Sequence, residues 1–195
     1  MRNEYSNFNK LKAKEFGNYF IECIDVDSRI TIIAPHGGRI EPGTDTIAKA
    51  IACQKFNYYG FISKRGKVNG RKSMHITSTN FDEPKALELV GKSEIVVAIH
   101  GCKDEQNGTG YGEHIFVGGR DEALKNELIA LLKKANLHVS FLEKFAGKDK
   151  KNICNRGSTQ AGVQFELTRS FRNDGELYKL FIEIVSDVLS KAEKR

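Results

Sequence analysis

Four side chains in this sequence are of types that perform hydrolytic chemistry, and each lies at or beside an apolar run. His36 follows Ile30-Thr31-Ile32-Ile33. That run is β-branched and reads as a buried strand that ends at Pro35, because proline cannot donate to a sheet ladder. Gly37-Gly38 turns the chain, so Glu41 is able to come back toward His36. His100 closes a second run, Glu94-Ile95-Val96-Val97-Ala98-Ile99, and is also followed by glycine. Imidazole and carboxylate are both zinc ligands, and two histidines with one glutamate and an open fourth position form a catalytic set. A single His-x4-Glu reads more readily as a turn that happens to be polar, and His100 alone more readily as a hydrogen-bonded histidine at a strand end. Two identical His-Gly endings beside Glu41 favour metal. The fourth residue, Glu166, sits in Val163-Gln164-Phe165-Glu166-Leu167, whose odd positions are apolar. It faces either solvent or a polar cavity, and in a cavity it is the general base and acid of a hydrolase.

Two arginines are candidates for holding a substrate carboxylate or a developing oxyanion. Arg156 lies in a loop shortly before the Glu166 strand, and Arg39 lies between His36 and Glu41. A planar guanidinium suits either task, while the plain alternative for each is a surface charge. His114 and His138 read as structural, and His75 has no motif around it that spacing explains.

These residues need a scaffold. The chain has 195 residues, enough for one domain with a sizeable core, and no repeat or Pro- or Ser-rich linker divides it. Residues 1–28 read as an irregular or short-helical lead-in. A short helix is expected from Thr44-Asp45-Thr46, then a strand at Tyr58–Ile62, a loop from Arg65 to Arg71 and a short strand at Met74–Thr77. Asp82 as cap and Pro84 in the first turn start a helix that stops at Gly91. Beyond the His100 strand come a loop from Cys102 to Gly112, a strand at His114–Val117, a helix of about 15 residues from Asp121, a strand at His138–Leu142 and a loop-like stretch over 143–162. A C-terminal amphipathic helix over 174–195 carries Leu177, Leu180, Phe181, Ile184, Val185, Val188 and Leu189 at helical spacing. Strands alternating with helices imply an α/β three-layer sandwich around a mostly parallel or mixed sheet. In such sheets ligands bind beyond the carboxyl ends of the strands, which is where both His-Gly endings would lie.

The net charge of +6, from 31 Lys and Arg against 25 Asp and Glu, admits an anionic partner. No nucleic-acid motif is present and tryptophan is absent, so nucleic acid is not the expected partner. The first residues lack a signal peptide's apolar core, no stretch approaches a membrane span, and the four cysteines show no Cys-x-x-Cys pair. The expectation is a cytoplasmic product with free thiols, which cell lysis would release.

Several longer motifs occur together: Ala34-Pro35-His36-Gly37-Gly38 with Ile40-Glu41-Pro42-Gly43-Thr44; His75-Ile76-Thr77-Ser78-Thr79 with Phe81-Asp82-Glu83-Pro84; Ile99-His100-Gly101-Cys102; Val117-Gly118-Gly119; Asn152-Ile153-Cys154-Asn155-Arg156-Gly157; and Gly162-Val163-Gln164-Phe165-Glu166-Leu167. In this order they resemble the poly-γ-glutamate hydrolase family, which includes phage enzymes and bacterial proteins often labelled phage-related replication proteins. The resemblance implies a zinc-dependent amidohydrolase of carboxypeptidase-like fold acting on an anionic polymer, poly-γ-glutamate. It implies His36, Glu41 and His100 as zinc ligands and Glu166 as the catalytic carboxylate. Another peptide or N-acyl amino acid remains the alternative substrate.

Overall fold

The computed structural model describes residues 5–66 and 74–194. Their elements in chain order are α1 (Phe8–Glu15), β1 (Tyr19–Ile24), β2 (Ile30–Gly38), α2 (Thr44–Ala52), β3 (Asn57–Ser63), α3 (Pro84–Gly91), β4 (Ile95–Gly101), the small hairpin β5 (Glu105–Gln106) and β6 (Thr109–Gly110), β7 (Ile115–Gly119), α4 (Glu122–Lys134), β8 (Val139–Ser140), β9 (Val163–Leu167), α5 (Arg169–Asn173) and α6 (Gly175–Glu193). Two 3-10 turns, Glu143–Phe145 and Ile153–Asn155, lie between β8 and β9.

The main sheet has seven strands in the order β1-β3-β2-β4-β9-β7-β8. β3, β2, β4 and β9 run parallel, while β1 and β7 are antiparallel to their neighbours β3 and β9. Period-two alternation divides the apolar residues between two faces. Ile30, Ile32 and Ala34, Val97 and Ile99, and Val163, Phe165 and Leu167 share one core with the buried faces of α2, α4 and α6. Ile33, Val96 and Ala98 belong to a second core with Phe8 and Leu11 of α1 and Ala86, Leu89 and Val90 of α3. Helices on both faces give the three-layer α/β sandwich. Each fully buried Leu, Ile, Val or Phe contributes about 1.5–3 kcal/mol, so both layers are firmly held.

β2 lies at the point where the chain changes direction across the sheet. After it the path crosses through α2 to β3 on one side; after β3 it returns through α3 to β4 on the other. The crevice beyond β2 and β4 is therefore the switch point where open α/β sheets bind ligands.

Several sequence expectations are corrected. The lead-in forms a short helix, as one of its two readings had it, but also an unexpected edge strand: Tyr19–Ile24 pairs with Ile62 and its neighbours. β2 does not stop at Pro35 but continues to Gly38, through a bulge in which Ala34 and Gly37 face Gly60 and Ile62 of β3. Met74–Thr77 forms no strand, and the strand expected over His138–Leu142 is reduced to Val139–Ser140. The cap of α3 is Glu83, which accepts from the Ala86 amide at 2.9 Å, while the Asp82 carboxylate accepts from the Phe8 amide. Of the loop expected over Arg65–Arg71, residues 67–71 lie outside the described residues.

Candidate metal centre and active site

The bulge in β2 explains how His36 reaches the crevice. Without an extra residue His36 would share the side of Ile32 and Ala34, against α2. One extra residue shifts the alternation by one, and bulges re-aim side chains in this way. The imidazole emerges on the other side, edge-on to Phe81 at 6.4 Å between ring centres. The turn that follows needs glycine. Gly38 has φ +66°, and a Cβ there would lie 2.3 Å from the Ser63 carbonyl oxygen. The Glu41 amide then donates to the His36 carbonyl at 2.9 Å, which returns the carboxylate to the imidazole.

His36 Nε2 lies 2.7 Å from the Ile76 carbonyl oxygen. A carbonyl only accepts, so Nε2 carries a proton and Nδ1 is the nitrogen turned toward Glu41 and His100. That Nδ1 is 3.1 Å from Glu41 Oε1 and 3.1 Å from His100 Nδ1. His100 Nδ1 is 3.7 Å from Glu41 Oε2, which also accepts from the Gly101 amide at 2.8 Å. His100 Nε2 is 3.3 Å from the Ser78 hydroxyl. Two imidazole nitrogens and a carboxylate thus converge in a buried spot, their far sides fixed by backbone or hydroxyl partners. Lone pairs so close repel one another unless a proton or a cation lies between them. Tetrahedral metal sites use this donor set with this outer ring of hydrogen bonds, so the residues fit zinc.

The charge balance agrees with the geometry. Burial pushes Glu41 upward, but the adjacent His36 and His100 imidazoles outweigh it and hold the carboxyl below its ordinary value. Burial pushes His100 down, and the hydrogen bond with Glu41 and the charge of Glu166 more than reverse that.

His75, left open by the sequence, is part of this neighbourhood. Its ring lies over that of His36 with centres 4.2 Å apart. Its ligand atom and those of His36 and Glu41 all fall within 4.8 Å of one another. Two imidazoles therefore compete for the third place beside His36 and Glu41. His100 Nδ1 also lies 3.1 Å from His36 Nδ1, so both imidazoles are candidates for that place. Burial and the neighbouring His36 lower His75 to about 3, so it is neutral, and its Nδ1 has no partner among the described residues.

Glu166 stands opposite His100 in the β4–β9 register. It shares its strand face with Gln164, and both line a cleft of about 760 Å³ together with His36, Glu41, His75 and His100. Burial raises the Glu166 carboxyl to about 7; His100 offsets part of this and Glu41 adds to it. A carboxylate beside two lone-pair donors, with a proton affinity near neutrality, is equipped to take and return a proton.

The two arginines are placed elsewhere. Neither lines the cleft. Arg156 donates to the carbonyls of Lys151 at 2.7 Å, Phe81 at 2.9 Å and Thr79 at 2.7 Å, stapling two loops behind the cleft wall. Arg39 is exposed, beyond the Gly38 turn. The arginine near the metal centre is Arg172 of α5. Its buried guanidinium donates to the carbonyls of Leu167 at 3.1 Å, Cys102 at 3.2 Å and Pro42, tying the ends of β9 and β4 to the turn that carries Glu41. A Cβ on Gly101 would lie 2.7 Å from its Cζ, so glycine after His100 makes room for this clamp. Sequence reasoning left His75 open and missed Arg172 and Gln164. Of these only Gln164 carried a readable signal, two residues before Glu166 on one strand face.

A family model described as poly-gamma-glutamate hydrolase matches residues 5–184. The chain belongs to the poly-γ-glutamate hydrolase family. Among relatives of this hydrolase family, the SPbeta prophage-derived protein YoqZ of Bacillus subtilis (strain 168) is 35% identical over 175 residues, 88% of this chain and 61% of that protein. The chain thus spans about three fifths of that relative's length. Two solved structures share the fold closely. A bacteriophage poly-γ-glutamate hydrolase superposes with a TM-score of 0.87 at 26% identity, over 98% of both chains. A zinc-free apo form of YndL superposes with a TM-score of 0.87 at 29% identity, over 98% of this chain and 99% of that one. No helix among the described residues is long and apolar enough to cross a membrane.

Proposed function

We propose that this chain is a zinc-dependent hydrolase of γ-glutamyl amide bonds, with His36, Glu41 and His100 as metal ligands and Glu166 as general base and acid. The observation that carries the reading is the convergence of His36 Nδ1, His100 Nδ1 and the Glu41 carboxylate one strand away from Glu166, in a poly-γ-glutamate hydrolase family member. When bound, zinc supplies Lewis acidity to the scissile carbonyl and makes water a stronger acid.

The protein's own groups do the rest. Ile76 and Ser78 hold the two imidazoles with Nδ1 inward, and the Gly101 amide orients Glu41. Glu166 accepts a proton from the attacking water. It then returns that proton to the amide nitrogen, which departs as an amine. A carboxyl that binds a proton near neutral pH gives and takes it with little penalty in either direction. Neutral His75 lines the cleft beside His36 without adding charge to the metal centre.

Metal analysis together with digestion of poly-γ-glutamate tests this. Purified protein is expected to carry about one zinc per chain and to shorten the polymer. Glu166→Gln keeps shape and metal while losing about 10²–10⁴-fold in turnover, the range that proton transfer contributes. His36→Ala and His100→Ala each lose most of the zinc. Full zinc occupancy in either histidine variant, or parent-like turnover in Glu166→Gln, would overturn the assignment.

A further inference from the structure

Every unit of a γ-linked glutamate chain keeps its α-carboxylate. After the scissile γ-amide, that carboxylate sits on the carbon bonded to the leaving nitrogen. In an α-linked chain the same carbon bears a neutral peptide carbonyl. A cation placed beside the proton-transfer site therefore distinguishes the two linkages at the bond that is cut.

Among the described residues that line the cleft, the permanent cations are Lys103, Lys144 and Lys148; arginine contributes none. Arg156 is committed to three backbone carbonyls and Arg172 to three others. Of the three lysines, Lys144 is the one fixed in place. Its ammonium donates to Gln106 Oε1 and lies 5.0 Å from the centre of the Phe145 ring. Gln106 is buried and is itself anchored through its amide nitrogen to the Lys103 carbonyl at 2.5 Å. Phe145 packs on Phe116 with ring centres 5.4 Å apart, and Phe116 is the β7 residue opposite Glu166 in the β7–β9 register. The backbone beside Lys144 is held in turn by Gln164, whose amide nitrogen donates to the Phe145 carbonyl at 3.0 Å. Lys148 instead extends toward Phe141, 5.7 Å from its ring centre. An ammonium has three donors, and one of Lys144's is used by Gln106, so two remain for a ligand. Preorganisation by Gln106 and Phe145 removes much of the entropy that a long side chain loses on binding.

Given the γ-glutamyl hydrolase reading above, we infer that Lys144 is a carboxylate-binding residue that receives the α-carboxylate on the leaving-nitrogen side and so selects γ-linked over α-linked substrates. The subsite is assembled from the β5–β6 hairpin through Gln106, the 3-10 turn through Lys144 and Phe145, and β9 through Gln164.

The probes are a γ-linked glutamate pentamer and the same pentamer with its α-carboxylates amidated. Binding is measured by calorimetry on zinc-loaded Glu166→Gln protein, which is slow to turn over, alone and combined with Lys144→Gln, Lys144→Arg or Lys133→Gln. Lys133 is an exposed α4 residue whose loss lowers net charge equally. Cleavage of both probes is followed with Glu166 intact. Amidation is expected to weaken binding about tenfold when Lys144 is present and hardly at all with Lys144→Gln, since one charge-assisted hydrogen bond is at stake. Lys144→Arg should restore part of the discrimination, and Lys133→Gln all of it. If Lys144→Gln retains the full amidation penalty, or if Lys144-bearing protein binds both probes equally, the subsite is overturned. Cleavage of the free pentamer without Lys144-dependent discrimination removes the subsite and leaves the proposed activity standing. Discrimination that depends on Lys144 without any cleavage removes the activity and leaves the subsite.

Discussion

Replacing Arg172 by methionine should loosen the metal centre and the fold together. The side chain is buried, and its guanidinium serves three carbonyls. One of these, Leu167 O, also accepts from the Cys102 amide at 2.9 Å and keeps that partner in the variant. The other two, on Pro42 and Cys102, lose a charged donor. At about 1.5–3 kcal/mol for each hydrogen bond to a charged group, the expected loss of stability is about 3–6 kcal/mol. For a chain of this size each kcal/mol lowers Tm by about 2–4 °C, so a fall of about 6–24 °C is expected. The same carbonyls position the turn just after Glu41 and the backbone after His100. Zinc affinity should therefore fall by about 10–100-fold, the usual result of losing a group that orients a ligand. Arg172→Lys retains charge but lacks the fork, so it should recover only part of either loss. Urea and thermal unfolding give the first quantity, and competition with a chelator gives the second. A Tm within about 3 °C of the parent, with unchanged zinc affinity, would refute the clamp.

Two further outcomes concern pH. The Glu166 carboxyl, raised by burial to about 7, binds a proton more tightly folded than unfolded. It therefore lowers the stability of the metal-free protein as pH rises from the unfolded value through 7, and Glu166→Gln should stabilise that protein more at pH 8 than at pH 5 in thermal unfolding. The reverse order would mean that the carboxyl is not sheltered. Glu15 has the opposite sign: burial raises its carboxyl, but hydrogen bonds from Tyr5 and Arg65 outweigh this and lower it. Its stabilisation is complete above the unfolded carboxyl value and is lost as pH falls through the lower folded value, so Glu15→Gln should flatten the acid side of the stability curve. An acid limb as steep as the parent's would rule this out.

The parts of the fold that were legible are those where one physical rule acts alone. β2, β4 and β9 are buried on both faces or alternate cleanly, and their runs announce themselves. The ends of β2 and β4 pointed to His36 and His100 as candidates from strand direction, and the structure places the two imidazole Nδ1 atoms 3.1 Å apart. β1 was hidden because an edge strand needs little apolar character, and Phe20 is in fact exposed. The bulge at Pro35 was hidden because the proline rule for ladders takes no account of an inserted residue. Arg156 was misplaced for a different reason: residue type tells what a guanidinium is able to hold, while only the loop path tells that three carbonyls hold it. His75 and Lys144 lie outside regular helices and strands or in a single 3-10 turn, where no period links one residue to the next.

β9 is an interior strand that joins β4 to β7, so without it the remaining six strands fall into a group of four and a group of two. All three proposed ligands come from the first 100 residues, yet the strand that completes the sheet arrives only at Val163. A chain cut or stalled before that point contains all three proposed ligands but has two unjoined half-sheets and lacks the proposed base. Because Glu166 lies on the joining strand itself, mechanical continuity and the proposed proton transfer depend on the same five residues.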